Sequence, residues 1–243
     1  MTKADYSRLN QALVGLLALG VPPIAITFLD VLPAGMPRPD GAMPPPTSDG
    51  RTGAVAAGCV FWMMATRRAF ATVAADHGNC SVGSLTHGFK TLAEAAKGAD
   101  VAGLVEAKWV AAEAFPQIAA VARKPGAIVY GPLALTTLDP DVVFLRLNAK
   151  QLMKVHAAFP ALRFEGKPQC HIIAIAKDTG MLAASTGCAL SRERTGMPDT
   201  ELTFAVPSHR LAELVERLES VQTADLRVAG YARKDAARFA PVA

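Results

Sequence analysis

Two short stretches of the chain read alike: His77-Gly78-Asn79-Cys80-Ser81-Val82-Gly83 and Ser185-Thr186-Gly187-Cys188-Ala189-Leu190-Ser191. Each is a tight turn, then a cysteine, then residues suited to opening a short helix. Another cysteine precedes each one, Cys59 twenty-one positions before Cys80 and Cys170 eighteen before Cys188, and these four are all the chain has. The surrounding parts repeat in order as well. An apolar strand (24–29; 142–147) leads to a cysteine in an apolar segment, then a short strand and a turn into the second cysteine. A strand ended by proline follows, at Tyr130-Gly131-Pro132 and at Ala205-Val206-Pro207. This order predicts an α/β fold of two pseudo-repeat lobes, each a mixed β-sheet flanked by helices. The first lobe spans residues 1–136, with a Pro/Gly-rich loop at 32–53, and the second spans 137–243, ending in a basic tail. A cleft between duplicated halves is a natural ligand site.

The other elements follow from pattern. Leu9, Leu13, Leu16 and Leu17 fall on one face of a helix over 6–19, which Pro22-Pro23 ends. Ile24 to Leu29 has the β-branched and aromatic content of a buried strand. Residues 32–53 hold six prolines and four glycines, which reads as a long loop, either a flap over the cysteines with Met36 and Met43 as apolar contacts or a surface insertion. A helix over 54–69 carries Cys59, Trp62 and Arg67, and a strand over 70–74 leads to the Cys80 turn. Residues 92–122 read as helix broken near Gly98 and Pro116. Asn148 is placed to cap a helix running to Phe159. Apolarity alone does not separate helix from strand over 170–176. Short strands are expected at 162–164, 181–184 and 202–206, with Ser208 capping a helix over 210–221.

Composition excludes some classes. Apolar residues make up 51% of the 243 positions and charged ones 19%, enough for a packed core and too few charges for a disordered chain. The net charge of +4 gathers partly at Arg227, Arg233, Lys234 and Arg238. No basic stripe alternates with aromatics, so nucleic acid is not an expected partner. The uncharged run from Leu9 to Leu29 is long enough to span a bilayer, but its prolines divide it into helix and strand. Asp5 in the would-be basic region and the lack of a cleavage site argue against a signal peptide. The expectation is a cytoplasmic protein without membrane contact, acting on a small molecule if on anything.

The strand Pro23-Ile24-Ala25-Ile26-Thr27-Phe28, the Cys59 helix followed by Cys80 at a glycine-containing turn, Pro140-Asp141-Val142-Val143, Thr186-Gly187-Cys188 and the 201–207 strand together resemble the domain-of-unknown-function family one hundred and sixty-nine. The likeness runs through nearly the whole chain, departing from the family's fuller glycine pattern at Ser81-Val82-Gly83. It implies an α/β architecture with cysteines as the residues of interest, and no reaction.

In a reducing compartment, cysteines are seldom disulfides and more often buried, metal-binding or catalytic. Cys80 and Cys188 stand at expected helix N-termini, where unpaired amides and the helix dipole favour thiolate. Gly78 and Gly187 would let amides approach the sulfurs. Cys59, Cys80, Cys170 and Cys188 are thus candidate ligands of an iron–sulfur cluster such as [4Fe–4S], or of another thiolate-bound metal. No CxxC pair is present, which argues against a zinc ribbon. The competing readings are a non-catalytic binding module with structural buried cysteines, and a thiol enzyme using Cys80 or Cys188 as nucleophile. His77, three residues before Cys80, is a candidate ligand or proton carrier, as is His171 beside Cys170, against plain turn or surface histidines. His87, His156 and His209 carry no motif. Asp76 before His77 suggests a Cys-His-Asp triad, although sequence neighbours rarely supply that geometry. Arg67-Arg68 reads either as an anion-binding pair or as a solvated helix end.

Overall fold

Strands that read as unbroken apolar runs need cover on both faces, and this requirement places the helices. The computed structural model describes residues 2–39 and 58–236. Its strands are β1 (Ile24–Leu29), β2 (Phe70–Thr72), β3 (Ala127–Pro132), β4 (Val142–Asn148), β5 (Arg163–Glu165), β6 (Ala183–Ser185) and β7 (Glu201–Pro207). They form one mixed sheet in the order β2-β3-β1-β4-β7-β6-β5, antiparallel except where β5 meets β6.

The expected pair of lobes is therefore replaced by a single sheet. β1 and β4, the inner strands of the two halves, pair through Ile24↔Phe144, Ala25↔Val143 and Ile26↔Val142. The Asp141 carboxylate strengthens the seam by accepting the Phe28 amide at 2.7 Å. Two separate lobes would leave β1 and β4 as long apolar edges with unpaired amides, and pairing removes both edges at once.

Side-chain alternation splits the strands between two cores. Val143, Leu145, Leu147, Phe204 and Val206 face one side, with α1 (Lys3–Leu17), α6 (Ala149–Ala158) and α9 (Leu211–Ala236) packed over them. Ile24, Ile26, Ile128, Tyr130 and Phe144 face the other, under α2 (Gly58–Ala65) and α7 (His171–Thr179). A third, smaller core of Val82, Leu85, Val101 and Phe115 lies under α3 (Ser81–Thr86), α4 (Leu92–Ala96) and α5 (Ala99–Glu106). The last helix to be named, α8 (Ala189–Thr195), packs on α2. The expected helix over 92–122 breaks at Gly98 between α4 and α5 as its pattern predicts, Pro116 lies inside a separate 3-10 turn (Ala112–Gln117), and residues 171–176 settle as helix.

Asn148 caps α6 as its position predicts. Its carboxamide accepts the Gln151 amide at 2.9 Å, while Gln151 Oε1 accepts the Asn148 amide at 2.7 Å. The Gln151 Nε2 group also donates to the Leu17 and Ala18 carbonyls at the end of α1. Asn148→Ala will therefore cost about 1 kcal/mol, read as a shift in the urea midpoint at unchanged slope. Ser208 makes no such cap; it opens a 3-10 turn before α9.

α9 runs on to Ala236, so the basic residues Arg227, Arg233 and Lys234 lie on helix, and Arg238 falls outside the described residues. Most of the 32–53 loop, Met43 included, is outside them too. Met36 lines a small cavity with Thr27, Ala69 and Leu135, a set that contains none of the cysteines. Among the described residues no helix is long and apolar enough to cross a membrane.

Candidate functional site

The four cysteines arrive from four elements. Cys59 sits in the first turn of α2, a helix apolar nearly all round, with Val60, Phe61 and Trp62 buried beside it. Cys80 is the N-cap of α3, and its sulfur accepts the Gly83 amide at 3.3 Å. Cys170 immediately precedes α7, and Cys188 is the N-cap of α8. Gly187, ahead of Cys188, has φ +111°, a conformation that L side chains rarely adopt. Gly78 differs from the expectation: its φ is −61°, ordinary right-handed backbone. The amides that reach the sulfurs lie after the cysteines, from Gly83 to Cys80 and from Leu190 and Ser191 to Cys188.

Cys59, Cys80 and Cys188 line one cavity of about 40 Å³ with Trp109, Pro168 and Arg194, room for two or three water molecules. Cys170 packs between the α2/α7 core and the small third core. Each of the four thiols lies within electrostatic reach of the other three. Every cysteine residue keeps some exposure, yet three of the thiols are strongly desolvated. Burial pushes Cys59 up to about 11, Cys80 adds to the rise, and a Ser191 hydrogen bond opposes it. Burial and then Cys80 push Cys170 well above its usual value, against a hydrogen bond from Thr86. Burial also raises Cys188, against the Ser191 and Leu190 amides. Burial, and the repulsion that neighbouring thiolates would feel, thus hold Cys59, Cys170 and Cys188 in the protonated form.

One cation is already present. Arg194, half-buried on α8, hydrogen-bonds Cys80 and feels Cys59 and Cys188. Burial works most strongly against its charge, but Cys80, through charge and hydrogen bond, together with Cys59 and Cys188 more than offsets it and the pKa is raised. Among the described residues, no three Cys, His, Asp or Glu side chains are grouped to hold a metal ion.

The histidines stand elsewhere. His77 is fully buried, its ring 4.7 Å from Phe89 and 4.9 Å from Phe61, with Nε2 3.0 Å from the Thr72 hydroxyl. It is neither a surface residue nor part of the cysteine cavity. His171 is also buried, its Nε2 3.6 Å from the Glu165 carboxylate. Asp76 forms an ion pair with Arg38 and accepts the Val73 amide at 2.7 Å. It caps its own turn and does not orient His77, so no Cys-His-Asp triad forms.

Arg194 and Trp109 belong to no motif, and Ser191 only closes the second cysteine stretch. The available signal was position: Ser191 and Arg194 follow Cys188 by three and six residues, and α8 returns both toward its N-cap. No curated protein and no solved structure matches the chain. The pattern of domain-of-unknown-function family 169, described as uncharacterised ArCR, matches residues 12–217, and on that match over most of its length the chain belongs to this family.

Proposed function

We propose that Cys59, Cys80, Cys170 and Cys188 are thiolate ligands of an iron–sulfur cluster held where the two halves of the chain join, in a cytosolic protein that uses it on a small molecule. The observation carrying this reading is convergence. Cys59 on α2 and Cys80 and Cys188 at the N-caps of α3 and α8 line one cavity, and Cys170, just ahead of α7, lies within electrostatic reach of all three. The strand order supports the joining of related halves: outward from the seam it runs β1-β3-β2 on one side and β4-β7-β6 on the other.

The donor set is all sulfur, with amides from Gly83, Leu190 and Ser191 aimed at two of the thiols. Soft thiolates with N–H···S donors are what such clusters are held by. Four thiolates also suit a lone zinc ion, which takes its sulfurs at about 2.3 Å. A multi-iron core holds its cysteines farther apart. When bound, such a cluster supplies electron transfer or, held by three cysteines, an open iron for substrate. The chain's own residues bind and neutralise: thiolates hold the metal, and Arg194 offsets part of the negative charge they bring.

Anaerobically purified protein is expected to be brown, with iron and acid-labile sulfide in equal amounts, and the Cys80→Ser/Cys188→Ser variant is expected to contain neither. Colourless, metal-free, fully folded protein with all four thiols slow to alkylate would make the cysteines structural. The hydrogen bond from Arg194 to Cys80 favours one other reading, a thiol nucleophile. Metal-free protein alkylated first and selectively at Cys80 at neutral pH would establish that instead.

A further inference from the structure

Beside the thiols lies a second and larger cavity, of about 430 Å³, between the end of α2 and α8. Its size is in the range of small-molecule sites. Arg67 and Arg68 at the end of α2 and Arg194 on α8 line it, with Thr66, Thr195 and Met64. Three guanidiniums thus share one concave wall, with no carboxylate among the described residues that line it. Among the described residues, neither Arg67 nor Arg68 has an ion-pair partner.

We propose that this cavity binds a small organic anion through Arg67, Arg68 and Arg194, its carboxylate or phosphate head seated on the guanidiniums and its apolar part against Met64. A guanidinium presents a planar fork of N–H donors that matches carboxylate and phosphate oxygens two at a time. Three such groups around one hollow repel one another until an anion enters, and a shared anion turns that repulsion into attraction. A solvated helix end accounts for Arg67 and Arg68, which are exposed, but not for Arg194, which is half-buried and comes from a different helix. Arg194 also stands in the wall of the cysteine cavity. An anion held here therefore lies one side chain away from Cys80, where a substrate of the thiol site would have to be. The inference stands whether or not the thiols hold metal.

Calorimetric titration of the purified protein with inorganic phosphate and with succinate, at low ionic strength, tests it and separates the two head groups. One of the two is expected to bind at about 1 mM or tighter, and Arg67→Gln/Arg68→Gln to weaken it about tenfold or more through the loss of charge-assisted hydrogen bonds. Both residues are exposed, so the double variant should keep its fold, checked by its circular dichroism. Arg194→Lys keeps the charge while removing the fork, and is expected to lose most of the binding as well. Failure of both anions to bind, an affinity unchanged in the double variant, or equal competition by chloride would each overturn the proposal. No metal enters this measurement, so its failure would leave the assignment of the cysteines untouched.

Discussion

Taking the protein from pH 7 to pH 5 is expected to remove about 2 kcal/mol of stability through His87 alone, and about 3 kcal/mol by pH 4. His87 is fully buried, and burial lowers its pKa from the ordinary imidazole value of about 6.5 to about 4, against the Gly83 carbonyl, which its Nδ1 meets at 2.8 Å. His77 lies 5.3 Å from it, ring to ring, and burial followed by the neighbouring His87 pushes its pKa well below the usual range. Phe28, Trp62, Phe61 and Phe89 surround the pair, with no carboxylate among the described residues to stabilise a proton. Above about pH 6.5 both states hold these rings neutral, and the full stability is present. Below that the unfolded chain takes up protons that the folded one refuses, so stability drains away as pH falls toward the folded value. The effect of His77 adds to this. Carboxylates titrate mostly lower, so the window from pH 6.5 to 5 isolates the histidines. Urea midpoints at pH 7, 6 and 5 will show it. A flat profile would mean the rings are hydrated or charged in the folded protein. Since a domain's whole margin is about 5–15 kcal/mol, the loss is large. It also strikes near the site, because the Ser84 hydroxyl and the Cys80 amide both donate to the His77 carbonyl.

How much of this was legible depends on where the deciding contact lies. β1 was readable to the residue, Ile24–Leu29, because β-branched and aromatic residues behind a proline pair leave few alternatives. The Asn148 cap was local too. Residues 170–176 were ambiguous because α7 is buried from His171 to Ala176; a helix wrapped on all sides loses its polar face and with it the 3.6 period. The order of parts in the two halves was visible, but their merging into one sheet was not. That merging depends on β1 and β4 pairing with each other, a choice made by edge energetics rather than by either segment's pattern. The stretch from Asp76 to Asn79 looked like an exposed turn, yet Phe61 and Phe89 bury His77 from positions sixteen before and twelve after it. α9 outran its expected end because its core-facing residues stop at Leu218 and Val221, and beyond them no apolar period marks how far the helix runs. Arg194 was invisible for a similar reason: its partner Cys80 stands more than a hundred residues away, and no spacing announces the pair.

The substitution Gly126→Ala will cost roughly 1–3 kcal/mol, although alanine is ordinarily the better-behaved residue. Replacing glycine by alanine in a compatible conformation stabilises by about 0.4–1 kcal/mol, through reduced freedom of the unfolded chain. Here the added methyl would stand 1.8 Å from the Asp30 carbonyl oxygen and 2.6 Å from its carbon. Those are backbone atoms and cannot swing aside as a side-chain tip would. By contrast, a methyl on Gly58 would meet the His87 ring at 2.6 Å, and that ring has a torsion with which to yield. To make room at Gly126 the ends of β1 and β3 must part, breaking the 2.8 Å hydrogen bond from the Gly126 amide to Leu29 and loosening the Leu29↔Ala127 pair. Overpacking of this kind costs about 1–3 kcal/mol and the lost hydrogen bond about 1 kcal/mol, which together exceed the entropic gain. The damage should reach the thiols, because β3 also carries Tyr130, a fully buried ring within electrostatic reach of Cys59 and Cys170. Urea denaturation together with the rate at which a thiol reagent modifies the cysteines reads both effects. A Gly126→Ala variant as stable as the parent, with cysteines modified no faster, would mean that β1 and β3 do not meet at this glycine, and the strand order that brings the four sulfurs together would be wrong at its centre.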